Sequence, residues 1–285
     1  MMHSLLIVVI YLVLAPLFGG LLAGVDRRIS ARMQARFGPP ILQPFFDIAK
    51  LFEKETLVVR RSQNFYILFF LLFVIFTGAL FFSGSDLLLV IFALTLAGIF
   101  FALGGFKASS PYSFIGAERE LLQMMSYEPA VLFAAIGMYM VTKSFQVKEI
   151  AAYHELLYPY LPGLLISFIF ILPLKFRKSP FDLSTSHHGH QELVKGITTE
   201  FSGRALAMIE VAHWYENVLI LGFVYLFFAH QPLLAVAATL LIYFFTILVD
   251  NTFARVKWQM ALASSWIMAL IFGLGNIFVL FFMKR

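Results

Sequence analysis

The 285-residue chain contains no cysteine. That absence excludes disulfides, and it excludes thiolate-bound iron–sulfur clusters and cysteine-type zinc sites within this chain. Charge is also scarce: 13% of residues are Asp, Glu, Lys or Arg, against about 25% in soluble domains. Hydrophobic residues make up 61%, more than a water-facing surface allows, so the chain is an integral membrane protein. The N-terminus has neither a basic n-region nor a small-residue cleavage site, so its first apolar helix is expected to be retained. The apolar runs do not alternate with polar residues, which argues against a β-barrel.

Runs of roughly 20 apolar residues predict an all-α, polytopic membrane protein with about eight transmembrane helices. They lie near 4–24, 63–82, 86–104, 118–142, 160–175, 204–228, 232–250 and 258–283. The segment 105–118 has the character of a stretch that dips into the membrane without crossing. Short links at Ser83-Gly84-Ser85 and His230-Gln231-Pro232 make neighbouring helices antiparallel within one membrane domain, 1–285.

Lys and Arg give the orientation. Of the 21 such residues, only Lys143, Lys148, Lys284 and Arg285 fall on one side. The positive-inside rule then places both termini outside a plasma membrane and the long polar loops in the cytoplasm. The net charge of +5 follows from this topology and gives no argument for nucleic-acid binding. Two long inner segments, 25–62 and 175–203, read as docking or coupling loops, because so elaborate a face is suited to meeting another protein.

In the first of these, Arg28, Arg32 and Arg36 recur every four residues beside Ile29, Met33 and Phe37. This spacing predicts an amphipathic helix lying on the membrane surface. Gly38-Pro39-Pro40 ends it, and a second helix starts at Pro44. Such a pair serves either as a lipid-surface anchor or as one wall of a cavity.

Acidic residues fall inside predicted spans. Glu120 and Glu128 are separated by about 80° around a helix and share a face. Glu210, His213 and Glu216 lie within a sector of about 120°. Carboxylates at membrane depth usually face a bundle interior or a water-filled cavity, and desolvation lets them hold or release a proton near neutral pH. Glu118, nearer the interface, reads as a cap or surface charge. The plain alternative for the others is a structural ion pair with Arg119 or Arg204. The histidines do not read as a metal or haem site: His187, His188 and His190 are too crowded, and His213 and His230 sit near opposite ends of one span.

Three polar segments resemble the membrane subunit that anchors the hydrophilic arm in respiratory complex I and in energy-converting nickel–iron hydrogenases. The first carries Gly38-Pro39, Leu42-Gln43-Pro44, Asp47, Lys50-Leu51 and Lys54-Glu55. The next carries Pro180-Phe181-Asp182-Leu183, Glu192-Leu193-Val194 and Thr199-Glu200-Phe201-Ser202-Gly203. The last supplies Asp250, Arg255 and Trp258. Between Asp182 and Glu192 the quinone-reducing branch is short and acidic. Here the histidine-rich stretch His187-His188-Gly189-His190-Gln191 is similar to the hydrogenase branch.

The resemblance implies a membrane subunit of a ferredoxin-linked hydrogenase that couples electron transfer to movement of protons or Na⁺. It is not catalytic by itself. No cofactor is expected in this chain; the nickel–iron centre and iron–sulfur clusters would lie in partners. Those partners are hydrogenase large and small subunits, a ferredoxin-like iron–sulfur subunit and an antiporter-like membrane subunit, in a hetero-oligomer bathed in lipid. Glu120, Glu128, Glu200, Glu210 and Glu216 form the expected acidic chain, with His213 as a relay. Asp182, His187, His188, His190, Gln191 and Glu192 form the docking loop. Arg28, Arg36, Gln43, Asp47, Lys50, Asp250 and Arg255 belong to the cytoplasmic surface. The rival readings are a quinone-chamber subunit of a complex I-like dehydrogenase and a stand-alone ion transporter. The latter predicts an internal repeat with broken helices, and no convincing repeat is present.

Overall fold

The computed structural model describes residues 2–55, 61–184 and 195–283. Among them the chain is helical, with one isolated β-bridge, Asp86 to Gln146, on the side of the short loops. The helices are α1 (Met2–Met33), α2 (Gln43–Glu53), α3 (Arg61–Phe82), α4 (Leu87–Lys107), α5 (Pro111–Thr142), the short α6 (Val147–Ala151), α7 (Pro162–Lys175), α8 (Gly203–Leu226) and α9 (Pro232–Thr252). A last helix, α10 (Trp258–Met283), passes through a π segment at Ala269–Leu274. Six of these, α1, α3, α4, α5, α9 and α10, are long and apolar enough to cross a membrane. The remaining two expected spans also form helices: α7 is only 14 residues long, and α8 carries Arg204, Glu210, His213 and Glu216 along its apolar run.

Two expectations change. The basic stretch from Arg27 to Met33 is the continuation of α1 and not a separate surface helix. At 1.5 Å per residue the 32-residue α1 is about 48 Å long, against an apolar slab of about 30 Å, so its basic end stands clear of the bilayer core. The amphipathic surface helix that does form is α2, opened by Pro44 in its first turn. The segment 105–118, in turn, contains the end of α4, a tight turn and the start of α5.

The core has two large apolar centres, beside a small one of Leu221, Tyr243 and Ile247. One gathers Leu87, Val131, Met138, Phe168, Ile171 and Phe223 from α4, α5, α7 and α8. The other gathers Ile67, Phe70, Phe101, Ile197, Ile209 and Tyr215 from α3, α4, α8 and the turn before α8. α8 contributes to both and packs on α1, α2, α3 and α9. That turn, a 3-10 element at Gly196–Thr198, presses onto α5 because position 116 is glycine. A Cβ there would sit 2.2 Å from the Ile197 nitrogen.

Two of the prolines inside the helices, Pro16 and Pro129, are matched by donors on other helices. Pro16 in α1 lacks the N–H that would meet the Leu12 carbonyl, and the Tyr215 hydroxyl of α8 donates to that oxygen at 2.7 Å. Pro129 in α5 frees the Met125 carbonyl, which accepts from the Trp266 indole of α10 at 3.0 Å. In hydrocarbon an orphaned carbonyl costs several kcal/mol, so these contacts fasten α8 to α1 and α10 to α5.

Candidate functional site

Where α7 ends, a buried charge cluster forms. α7 stops in a Schellman motif: the Arg177 N–H reaches the Leu174 carbonyl at 3.2 Å, and the Lys178 N–H reaches that of Pro173 at 2.8 Å. The residue between the cap and Lys178 must be left-handed. Glycine usually fills that position, yet here it is Arg177, at φ +51°. A non-glycine residue there costs roughly 1–2 kcal/mol, and the turn aims its side chain back into the bundle.

The Arg177 guanidinium reaches two carboxylates. Its Nη2 lies 2.7 Å from Glu120 Oε1 of α5, and its Nη1 lies 3.1 Å from Glu216 Oε2 of α8. Lys175, on the last turn of α7, places its Nζ 3.2 Å from the other Glu216 oxygen and 3.9 Å from the centre of the Tyr127 ring. The Phe101 ring covers the guanidinium at 5.4 Å. All four charged side chains are nearly buried, from 4% to 12% exposed. Two carboxylates thus face two cations, which is what a low-dielectric site requires.

His213 completes the cluster. Its ring is held edge-on by Phe70 and Phe101. Its Nδ1 stands 3.0 Å from Arg177 Nη1 and 3.4 Å from Glu216 Oε2. These two contacts exclude each other: an unprotonated Nδ1 accepts from Arg177, whereas an Nδ1–H donates to Glu216. The proton on this ring therefore decides whether it accepts from Arg177 or donates to Glu216.

The structure brings together Glu120, His213 and Glu216 of the expected acidic chain. Glu128, Glu200 and Glu210 are half-buried, and among the described residues none of their side chains hydrogen-bonds to the cluster. The partner of Glu120 is Arg177 and not Arg119 or Arg204. Lys175 and Arg177 are the members of the cluster that sequence reasoning missed; basic residues at the end of an apolar run read as ordinary interfacial anchors.

The polar loops knit around this site. Asp182, 4% exposed, pairs with Arg255 of the last loop at 2.5 Å. Asp250 accepts from the Ser179 N–H at 2.8 Å, and Lys178 pairs with Asp26 of α1 at 2.7 Å. Residues 177–182 are thus tied to α1, α5, α8, α9 and the loop before α10. Asp47 of α2 accepts from Gln43 at 2.8 Å and from Arg27 at 2.6 Å. Burial pushes the Asp47 carboxyl up, but those two hydrogen bonds and the charges of Arg27 and Lys50 outweigh it and hold it below the usual aspartate value. Arg28 and Lys50 are exposed, and Arg36, also exposed, bonds to Gln34. His187, His188, His190, Gln191 and Glu192 lie outside the described residues.

The family described as NADH dehydrogenase matches residues 5–281. The chain is 31% identical to an NADH-quinone oxidoreductase subunit of Syntrophotalea carbinolica, over 89% of this chain and 88% of that one. It is 29% identical to hydrogenase-4 component C of Escherichia coli, over 91% and 89%. Among solved structures it is similar to a chain of the membrane-bound sulfane sulfur reductase, an archaeal respiratory membrane complex. That match has a TM-score of 0.84 and covers 96% of this chain and 99% of that one, at 23% identity, where the likeness speaks for the fold. With a family match along almost its whole length, the chain belongs to the NADH dehydrogenase family and is a membrane subunit of the complex I-like energy-converting type.

Proposed function

We propose that the chain is the anchoring and coupling subunit of a ferredoxin-linked energy-converting hydrogenase in the plasma membrane, with both termini outside. The observation that carries the coupling role is the buried Arg177 cluster. It draws α5, α7 and α8 together beside the loops expected to dock the hydrophilic module. The choice of hydrogenase rests on the histidine-rich stretch 187–191 and on the likeness to hydrogenase-4 component C. Nickel–iron and iron–sulfur centres would belong to the large, small and ferredoxin-like partner subunits, and an antiporter-like subunit would continue the ion path.

In this reading a charge change in the docked module biases the cluster. A unit charge about 10 Å away, at an effective dielectric near 20, is worth roughly 1.7 kcal/mol, or about one pKa unit. That energy acts on the balance between the two contacts of the His213 ring, one with Arg177 and one with Glu216. Glu128, Glu200 and Glu210 would carry the proton towards or away from the cluster. Moving one charge against 100 mV requires about 2.3 kcal/mol, the same order. In vesicles holding the whole complex, Glu216→Gln is expected to lower the ratio of ions moved to hydrogen turned over. An unchanged ratio in an assembled complex would remove the coupling role.

The 31% identity to an NADH-quinone oxidoreductase subunit favours a second reading, a quinone-chamber subunit. Bound quinone in the purified complex, or inhibition competitive with quinone, would decide for it.

A further inference from the structure

We propose that Asn276 of α10 is a positioning residue for the Arg177 cluster, acting from the far end of α7; this rests on the coupling role proposed above. α7 has 14 residues and is about 21 Å long, short of the roughly 30 Å apolar slab. Its first turn therefore begins among apolar side chains; Leu161 and Leu164 are fully buried. A helix start in such surroundings must satisfy its orphan N–H groups without water.

Every one of these groups is accounted for. The Leu161 N–H reaches the Leu157 carbonyl at 3.1 Å, and Pro162 has no N–H. Asn276 Oδ1 accepts from the two that remain, Gly163 at 2.9 Å and Leu164 at 3.2 Å. Its amide Nδ2 donates to the Tyr160 carbonyl at 3.1 Å. One side chain from another helix thus fixes both the height and the rotation of α7. Lys175 and Arg177 sit at the other end of that rod. α10 also holds α5, the helix of Glu120 and Tyr127, through Trp266. Among the described residues α10 is thus bonded to both α5, which carries Glu120, and α7, which leads into Lys175 and Arg177. The π segment Ala269–Leu274 lies between Trp266 and Asn276 and brings the Phe272 carbonyl against α7 at Gly163, where a Cβ would sit 2.4 Å from that oxygen.

The test uses the assembled complex in inverted membrane vesicles, with hydrogen evolution from reduced ferredoxin measured beside proton and sodium uptake. Asn276→Leu is expected to lower the ions moved per hydrogen formed and to shift the pH of half-maximal coupling by about one unit, the size expected for a displaced neighbouring charge. Asn276→Asp, which when protonated can accept both N–H groups and donate to Tyr160, restores the profile. Gly163→Ala, which forces α7 away from α10 with Asn276 intact, reproduces the defect. An assembled Asn276→Leu complex with the normal ratio and pH profile overturns the proposal, as does a Gly163→Ala complex indistinguishable from the unaltered one. If Glu216→Gln leaves the ratio unchanged, the coupling reading falls by itself. Positioning is then read from infrared carboxylate bands of isotope-labelled glutamate. Asn276→Leu must move the bands that vanish in Glu120→Gln and Glu216→Gln, and bands that stay put overturn it.

Discussion

At the scale of residues, Arg177 joins two costs that would ordinarily be avoided: a left-handed backbone at a non-glycine position and a guanidinium taken out of water. Each is offset by the same side chain meeting Glu120 and Glu216. Arg177→Gly separates the two, since glycine suits the Schellman turn while the carboxylates lose a cation. Breaking a buried pair from one side typically costs about 3–5 kcal/mol, less here by the roughly 1–2 kcal/mol of relieved backbone strain. A fall in the melting temperature of the purified complex is the measurement, and an increase would show that strain outweighs pairing. The Tyr215 hydroxyl offers a smaller test. Tyr215→Phe strands the Leu12 carbonyl and is expected to destabilise by about 1–3 kcal/mol, but much less in a Pro16→Ala background, where the backbone N–H returns.

At the scale of elements, the amphipathic α2 was legible from Pro44 and from the spacing of its apolar residues, because those signals are local. The continuation of α1 through its arginines was not. The same four-residue repeat suits a helix lying on a membrane and the end of one standing out of it, and only the angle to the bilayer separates them. Glu120, His213 and Glu216 could be picked out because carboxylates are expensive within apolar runs. Lys175 and Arg177 could not, because their inward turn is set by the left-handed cap and by α10 bracing α7 from far along the chain. The docking of α2 on α1 carries its own pH signature. The Asp47 carboxyl is held below its ordinary value, so its contacts with Arg27 and Gln43 contribute above the usual aspartate range near 3.9. They are lost as pH falls through the lowered value. Limited proteolysis across residues 36–55 is expected to quicken in that acidic window, and Asp47→Asn to abolish the dependence.

At the scale of the whole molecule, about eight helices and the family were readable because length, hydropathy and ordered motifs survive without knowledge of packing. How the three polar segments join was not, since Asp182 meets Arg255 across 73 positions and Lys178 meets Asp26 across a still longer separation. These ties make the basic side one surface assembled from several loops. Reversing a single charge, Asp182→Arg, is expected to reduce recovery of partner subunits with the chain. The double exchange Asp182→Arg with Arg255→Asp should recover part of it, as measured by co-purification. Equal loss in both would mean that the pair matters for more than its mutual attraction.

The proline contacts have a consequence for descent. Pro129 and Trp266, like Pro16 and Tyr215, each act as one heritable unit split across distant codons, because the donor is needed only while the proline withholds its own. Lineages that exchange the proline for a residue with an N–H release the aromatic partner from that duty. In related chains, substitutions at the two members of each pair are therefore expected to travel together.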